Sequence, residues 1–263
     1  MNTDKHGLTT TGAGEAAVEC GRPRPQQCSN REGAQVVPGY FDGSWFLRPG
    51  TGALRASLLV ALLAVAIVSA PAQVLYTNGF DKAELEKVPE DMMVLDGGFA
   101  VKEEAGNKFL ELPGAPLETF GVLFGPTEAS GLAVSARVQS TSKGRRSPTF
   151  AVGLNGVGGY KLEVAPAKKL VELIKGEEIV ASAPFNWESG SWTMLRLQCR
   201  KVKDGEFAIE GKAWKQGDVE PKEWQIKRSE TAESPAGRPS VWGKPFAGTP
   251  VRFDDLQVTR AVQ

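Results

Sequence analysis

Apolar and polar side chains alternate with a period of two over much of the chain from residue 149 to residue 260. Phe150, Val152 and Leu154 alternate with Ala151 and Gly153, and Tyr160, Leu162 and Val164 alternate with Lys161 and Glu163. Leu195, Leu197 and Cys199 share one face of their segment, and Arg196, Gln198 and Arg200 share the other. Phe207, Ile209 and Ala213 likewise oppose Glu206, Glu210 and Lys212. A strand sends successive side chains to opposite faces, so this pattern predicts half-buried antiparallel strands with one wet face. Asn155-Gly156, Lys175-Gly176 and Asp204-Gly205 each separate two such runs, as hairpin turns do. The predicted class is all-β, a two-sheet antiparallel sandwich or a barrel. No long helix is expected. Asp81 to Met92 allows a short helical turn, which Pro89 interrupts. Residues 215–237, rich in Glu, Pro, Lys and Gly, read as a long excursion around one strand near Trp224 to Ile226.

The alternation is absent from the first third of the chain. Residues 1–47 are rich in Gly, Arg, Pro, Gln and Thr and have no sustained apolar period, the composition of a disordered leader. Behind them, Arg55 precedes an apolar run from Leu58 to Val68 and then Ser69-Ala70-Pro71-Ala72. That is the layout of a secretory signal peptide, with cleavage expected before Gln73. A spanning helix needs roughly 20 apolar residues, more than this run offers. The expected organisation is therefore a disordered leader over 1–47, of which residues 1–46 are a mis-called start with translation beginning at Leu47, the alternative being an extended signal with a disordered leader; a signal peptide over 48–72; and one domain over 73–263. The expected compartment is secreted, periplasmic or cell-surface, with membrane contact only in passing through the signal peptide.

Charge and reactive groups narrow the chemistry. Lys and Arg number 31, as do Asp and Glu, so no basic excess marks a nucleic-acid partner. The basic cluster Lys143, Arg145 and Arg146 lies in a Ser/Gly-rich stretch and reads as a solvated hairpin tip. The single histidine, His6, falls in the leader with Cys20 and Cys28, leaving Cys199 alone in the domain. A catalytic Ser-His or Cys-His pair, a histidine-ligated metal and an intrachain disulfide are thereby excluded from residues 73–263. Cys199 shares the Leu195/Leu197 face and reads as a small buried hydrophobe. Gly153 to Tyr160 lacks the Lys-Ser/Thr and the helix of a phosphate loop, and reads as a glycine-rich hairpin.

Four stretches carry a resemblance. "SGSWTMLRLQCRKVKDGEFAIEGKAW" resembles the G-x-W-x-x-L-x-L hairpin of the concanavalin A-like lectin/glucanase domains, the laminin-G-like group. "AGRPSVWG" is similar to their G-R-x-G-L-W strand, with Ser240 in place of a second Gly; "VRFDDLQVTR" and "VLYTNGFDKAEL" resemble their closing and opening strands. The resemblance implies a jelly-roll sandwich of the kind found in secreted bacterial proteins, with its first and last strands paired. It does not fix a function, because this fold hosts glucanases, lectins and plain interaction modules. The glucanase E-x-D-x-(x)-E strand is missing. Glu103-Glu104 and Glu177-Glu178 are adjacent and point to opposite faces. Glu206 and Glu210 share a face, read as solvated, with Ala208 between them.

The expected function is an exported, non-catalytic module that binds a glycan or an envelope protein. The alternatives are a structural domain without a small ligand and an unrecognised glycoside-active enzyme. Candidate carbohydrate-binding residues are Trp187, Trp214 and Trp224, because flat exposed rings take the apolar faces of sugars. Trp192 is read as core. Phe253 and Leu256 cannot both face inward in an unbroken alternation, so a bulge is expected at Asp254-Asp255. If first and last strands pair, Asp81 joins them, and the three are candidate ligands of a structural Ca2+; no other cofactor is expected.

Overall fold

The computed structural model describes residues 72–114, 118–245 and 248–261. The leader and the signal-like segment, residues 1–71, lie outside the described residues. Among the described residues fifteen strands follow one another: β1 Val74–Asn78, β2 Met93–Asp96, β3 Ala100–Glu104, β4 Asn107–Leu112, β5 Phe120–Leu123, β6 Leu132–Ser140, β7 Thr149–Leu154 and β8 Tyr160–Ala165 come first. After one 3-10 turn come β9 Leu170–Lys175, β10 Glu178–Pro184, β11 Thr193–Lys203, β12 Glu206–Lys215, β13 Ile226–Glu230, β14 Ser240–Lys244 and β15 Val251–Arg260. All pairings are antiparallel and form two sheets. One has the order β13-β12-β11-β6-β15-β4-β3, with β1 also on β15; the other runs β10-β9-β8-β7-β14-β5-β2. The molecule is therefore all-β, a two-sheet antiparallel sandwich. The stretch from Asp81 to Met92 contributes isolated turns, closed by Ala83 N–H to Phe80 O and Met92 N–H to Pro89 O, and no helix.

Alternation builds the core as expected. Leu195, Leu197 and Cys199 of β11, Ile209 and Ala213 of β12 and Val134, Ala136 and Val138 of β6 meet Val152, Leu162 and Leu173 of the second sheet. Each fully buried Leu, Val or Phe contributes about 1.5–3 kcal/mol relative to exposure. Gly211 sets the spacing on β12, since a β-carbon there would stand 2.5 Å from Leu162 Cδ1 of the opposite sheet. On the outer face of the second sheet, Trp242 lies over Gly121, where a β-carbon would strike its ring at 2.5 Å. Its indole N–H donates to Ser240 Oγ at 2.7 Å, and Lys161 Nζ caps the ring at 4.0 Å.

Each expected hairpin appears. β7 and β8 join through Asn155 and Gly156, both at positive φ, and the Asn155 amide donates to the carbonyls of Ala129 and Pro235. Lys143 and Arg146 bridge at the exposed basic tip. Cys199 is buried, and burial pushes its thiol up to about 11, so it stays protonated at neutral pH. Among the described residues no helix is long and apolar enough to cross a membrane.

Candidate functional site

The outer face of the larger sheet carries the polar members of β11 and β12. Register sets Arg196 beside Lys212, Gln198 beside Glu210 and Met194 beside Trp214. The ladder ends at Lys215 and resumes at Ile226 of β13, and the segment 216–225 folds back over this face, bringing Glu220 and Trp224 with it. A groove of about 430 Å3 results, lined by Arg196, Gln198, Arg200, Glu210, Lys212, Glu220 and Trp224. Its size falls within the roughly 300–1,000 Å3 of small-ligand sites.

The groove is internally ion-paired. Glu210 accepts from Gln198 Nε2 at 2.6 Å and from Arg200 Nε at 2.9 Å. Burial on its own would raise the Glu210 carboxyl, but these hydrogen bonds hold it below the ordinary glutamate range. Glu220 lies 3.0 Å from Arg196 Nη1 and 2.8 Å from Lys212 Nζ. Lys212 and Arg196 likewise outweigh the burial of Glu220 and depress its carboxyl. Lys212 Nζ also donates to Pro221 O at 2.7 Å, tying segment 216–225 to the sheet. Gln198 Oε1 is buried with no hydrogen-bond partner among the described residues. Three cations face two carboxylates, both ionised.

The tryptophans divide. Trp224 and Trp214 flank Lys212, whose Nζ stands 4.5 Å from the first ring centroid and 6.0 Å from the second. Trp224 lines the groove; Trp214 lines a neighbouring cavity of about 360 Å3 with Phe185, Val219, Pro221 and Gln225. Trp187 is not on this face. It packs against the core, edge-on to Phe150 with centroids 6.2 Å apart, and its buried N–H has no partner among the described residues. Glu210 does lie opposite Phe207 and Ile209, but it is buried at 7% exposure, not solvated, because segment 216–225 and Arg200 cover it. Trp192 is half-buried outside the core, stacked against the Arg137 guanidinium at 4.7 Å and against Phe109. A wide sheet with long cationic side chains makes that outer position as comfortable as the interior.

Sequence reasoning passed over Arg196, Gln198, Arg200 and Lys212 as a wet face. The alternation had placed them together; the information missing was that segment 216–225 returns over them.

The three aspartates converge. β1 pairs with β15, and β15 bulges between Asp254 and Gln257, so Phe253 and Leu256 are both buried. The position of a β-carbon on Gly79 would lie 3.5 Å from Asp255 Oδ1, 3.7 Å from Asp81 Oδ2 and 4.0 Å from Asp254 Oδ1. Two of the three are already engaged. Asp254 Oδ2 accepts from Arg137 Nη2 and Asn107 Nδ2, its Oδ1 accepts from the Asp255 N–H, and Arg137 Nε lies 2.9 Å from Asp255 Oδ2. Calcium takes 6–8 oxygens. Among the described residues no group of three or more acidic, His or Cys side chains is arranged to hold a metal, and here the Arg137 guanidinium supplies the positive charge.

No family model matches the chain, and no curated protein matches it in sequence. Among solved structures, it is similar to the metal-free carbohydrate recognition domain of Emp46p, at 11% identity and a TM-score of 0.50, over 72% of this chain and 97% of that one. A protein of unknown function with a galectin-like fold from Bacillus subtilis is 13% identical, with a TM-score of 0.49, over 73% of this chain and 97% of that one. The carbohydrate binding module CBM66 from Bacillus subtilis is 12% identical, with a TM-score of 0.45, over 64% and 95%. At 11% identity the likeness to the Emp46p domain is one of fold alone.

Proposed function

We propose that this chain is an exported, non-catalytic module of the cell envelope that binds carbohydrate in the groove over β11 and β12. The observation that carries the reading is the pairing of the Trp224 ring with a floor of fixed hydrogen-bonding groups, Arg196, Gln198, Arg200 and Glu210. Sugar recognition needs such a ring for the C–H face and fixed donors and acceptors for the hydroxyls. Export rests on the signal-like segment ending at Ala72.

A non-catalytic role fits the same geometry. A glycosidase acid must hold its proton near neutral pH, which calls for a raised carboxyl pKa. Glu210 and Glu220 are both depressed by their cationic partners. The two carboxylates of the groove are suited to orienting Arg196, Arg200 and Lys212, not to donating a proton.

A glycan array probed with the full chain tests the reading. Binding to at least one glycan class is expected, weakened about tenfold by Trp224→Ala, which corresponds to about 1.4 kcal/mol of ring contact. An array with no bound glycan, or binding untouched by Trp224→Ala, overturns it.

A further inference from the structure

We infer that the groove selects acidic polysaccharides, whose rings carry both hydroxyls and an anionic group, a carboxylate or a sulfate ester. The inference rests on the carbohydrate reading above and specifies its ligand class.

Two features of the floor make unlike demands. The first is acceptor chemistry. Gln198 is 3% exposed, and its Nε2 donates to Glu210. A carboxylate only accepts, so the amide cannot flip, and Oε1 is fixed as the unpartnered acceptor. A buried acceptor without a donor is costly, and only an incoming O–H or N–H relieves it. The second is cationic. Arg196 commits Nη1 to Glu220, and Arg200 commits Nε and Nη2 to Glu210. Among the described residues, Nη2 and Nε of Arg196 and Nη1 of Arg200 make no hydrogen bond. With three cations against two ionised carboxylates, the groove keeps one positive charge in excess.

A free sulfate or chloride ion would meet the guanidinium demand and bring no hydroxyl for Gln198. A neutral sugar would meet Gln198 and leave the guanidinium N–H groups unused. An acidic sugar meets both at once, with its anionic group on Arg196 and Arg200 and a hydroxyl donating to Gln198 Oε1. Charge-assisted hydrogen bonds from arginine to such oxygens are about twice as strong as neutral ones.

Affinity electrophoresis of the full chain at 150 mM salt, through gels holding polygalacturonate, dextran sulfate or dextran, tests this. Retardation by polygalacturonate, dextran sulfate or both, without retardation by dextran, is expected, and which gel retards tells carboxylate from sulfate ester. Arg196→Ala and Gln198→Leu should each weaken the interaction at least tenfold. Arg196→Ala leaves Glu220 paired with Lys212, so it reports even if Gln198→Leu does not fold. The double variant Lys143→Ala/Arg145→Ala, at the exposed tip, should change nothing; an equal loss there would mean unspecific charge attraction and overturn the inference. Retardation by dextran as strong as by the acidic polymers, or no retardation by either acidic polymer while the array still shows neutral glycans, overturns the acidic selectivity and leaves carbohydrate binding standing. A blank array removes both.

Discussion

Asp254 is 1% exposed, and its charge is sustained by Arg137, Asn107 and the following backbone N–H. Even so, burial lifts its carboxyl above the usual aspartate range. Removing one partner of a buried ion pair leaves an uncompensated charge and costs about 3–5 kcal/mol. Arg137→Ala is therefore expected to destabilise the fold by about 3 kcal/mol, the low end because two neutral donors remain. Urea denaturation checks this, and the double variant Arg137→Ala/Asp254→Asn should recover part of the loss. Trp192 stacks on the same guanidinium. At this scale the sequence shows which side of a strand a residue takes. It marked the bulge at Asp254-Asp255 through the clash of Phe253 with Leu256, but it could not pair Arg137 with residues more than a hundred positions away.

Strand β11 and strand β12 show how elements resolve a conflict written into them. A two-residue turn at Asp204-Gly205 pairs Lys203 with Glu206, which would set odd positions of one strand against even positions of the other. The core-facing apolar residues of both strands are odd-numbered, and a one-residue slip would turn one set outward. A bulge between Lys201 and Lys203 shifts the register, so that Cys199 faces Ile209 and Gln198 faces Glu210. The floor of the groove depends on that correction, which alternation implied and turn chemistry alone concealed. Strands β8 and β9 keep a conflict unresolved, because Glu163 faces Glu172 directly. Burial, and then the Glu172 charge, push the Glu163 carboxyl upward. A raised acid penalises the folded state fully above its folded pKa, and the penalty vanishes as pH falls to the ordinary glutamate value. Glu163→Gln should therefore stabilise the protein by roughly 0.2–1 kcal/mol at neutral pH. That gain should fade on acidification, as thermal melts at several pH values would show.

Across the whole molecule, the two sheets enclose one core drawn from both, and the fold class was legible from alternation and turn residues. The pairing of first and last strands was implied by resemblance alone. That pairing gathers Asp81, Asp254 and Asp255 around Gly79, with Arg137 among them. Because Arg137 is already ion-paired with Asp254 and Asp255, a chelator is expected to leave the melting temperature unchanged in calorimetry. A chelator-induced drop, reversed by Ca2+, would return a cation to this corner. What the sequence withheld was the path of 216–225, a stretch with no period of its own, whose position is set by Glu220 and Pro221 meeting Arg196 and Lys212.

The two walls of the groove accordingly differ in how they can change. Arg196, Gln198 and Glu210 are locked into ladders on either side and Lys212 into one, whereas the roof hangs from the sheet by a few polar ties. Insertions or deletions between Lys215 and Ile226 alter no strand pairing. Descendants of this chain can therefore deepen, narrow or uncover the cleft by editing ten residues of tether, trading one ligand for another while the sandwich beneath stays as it is.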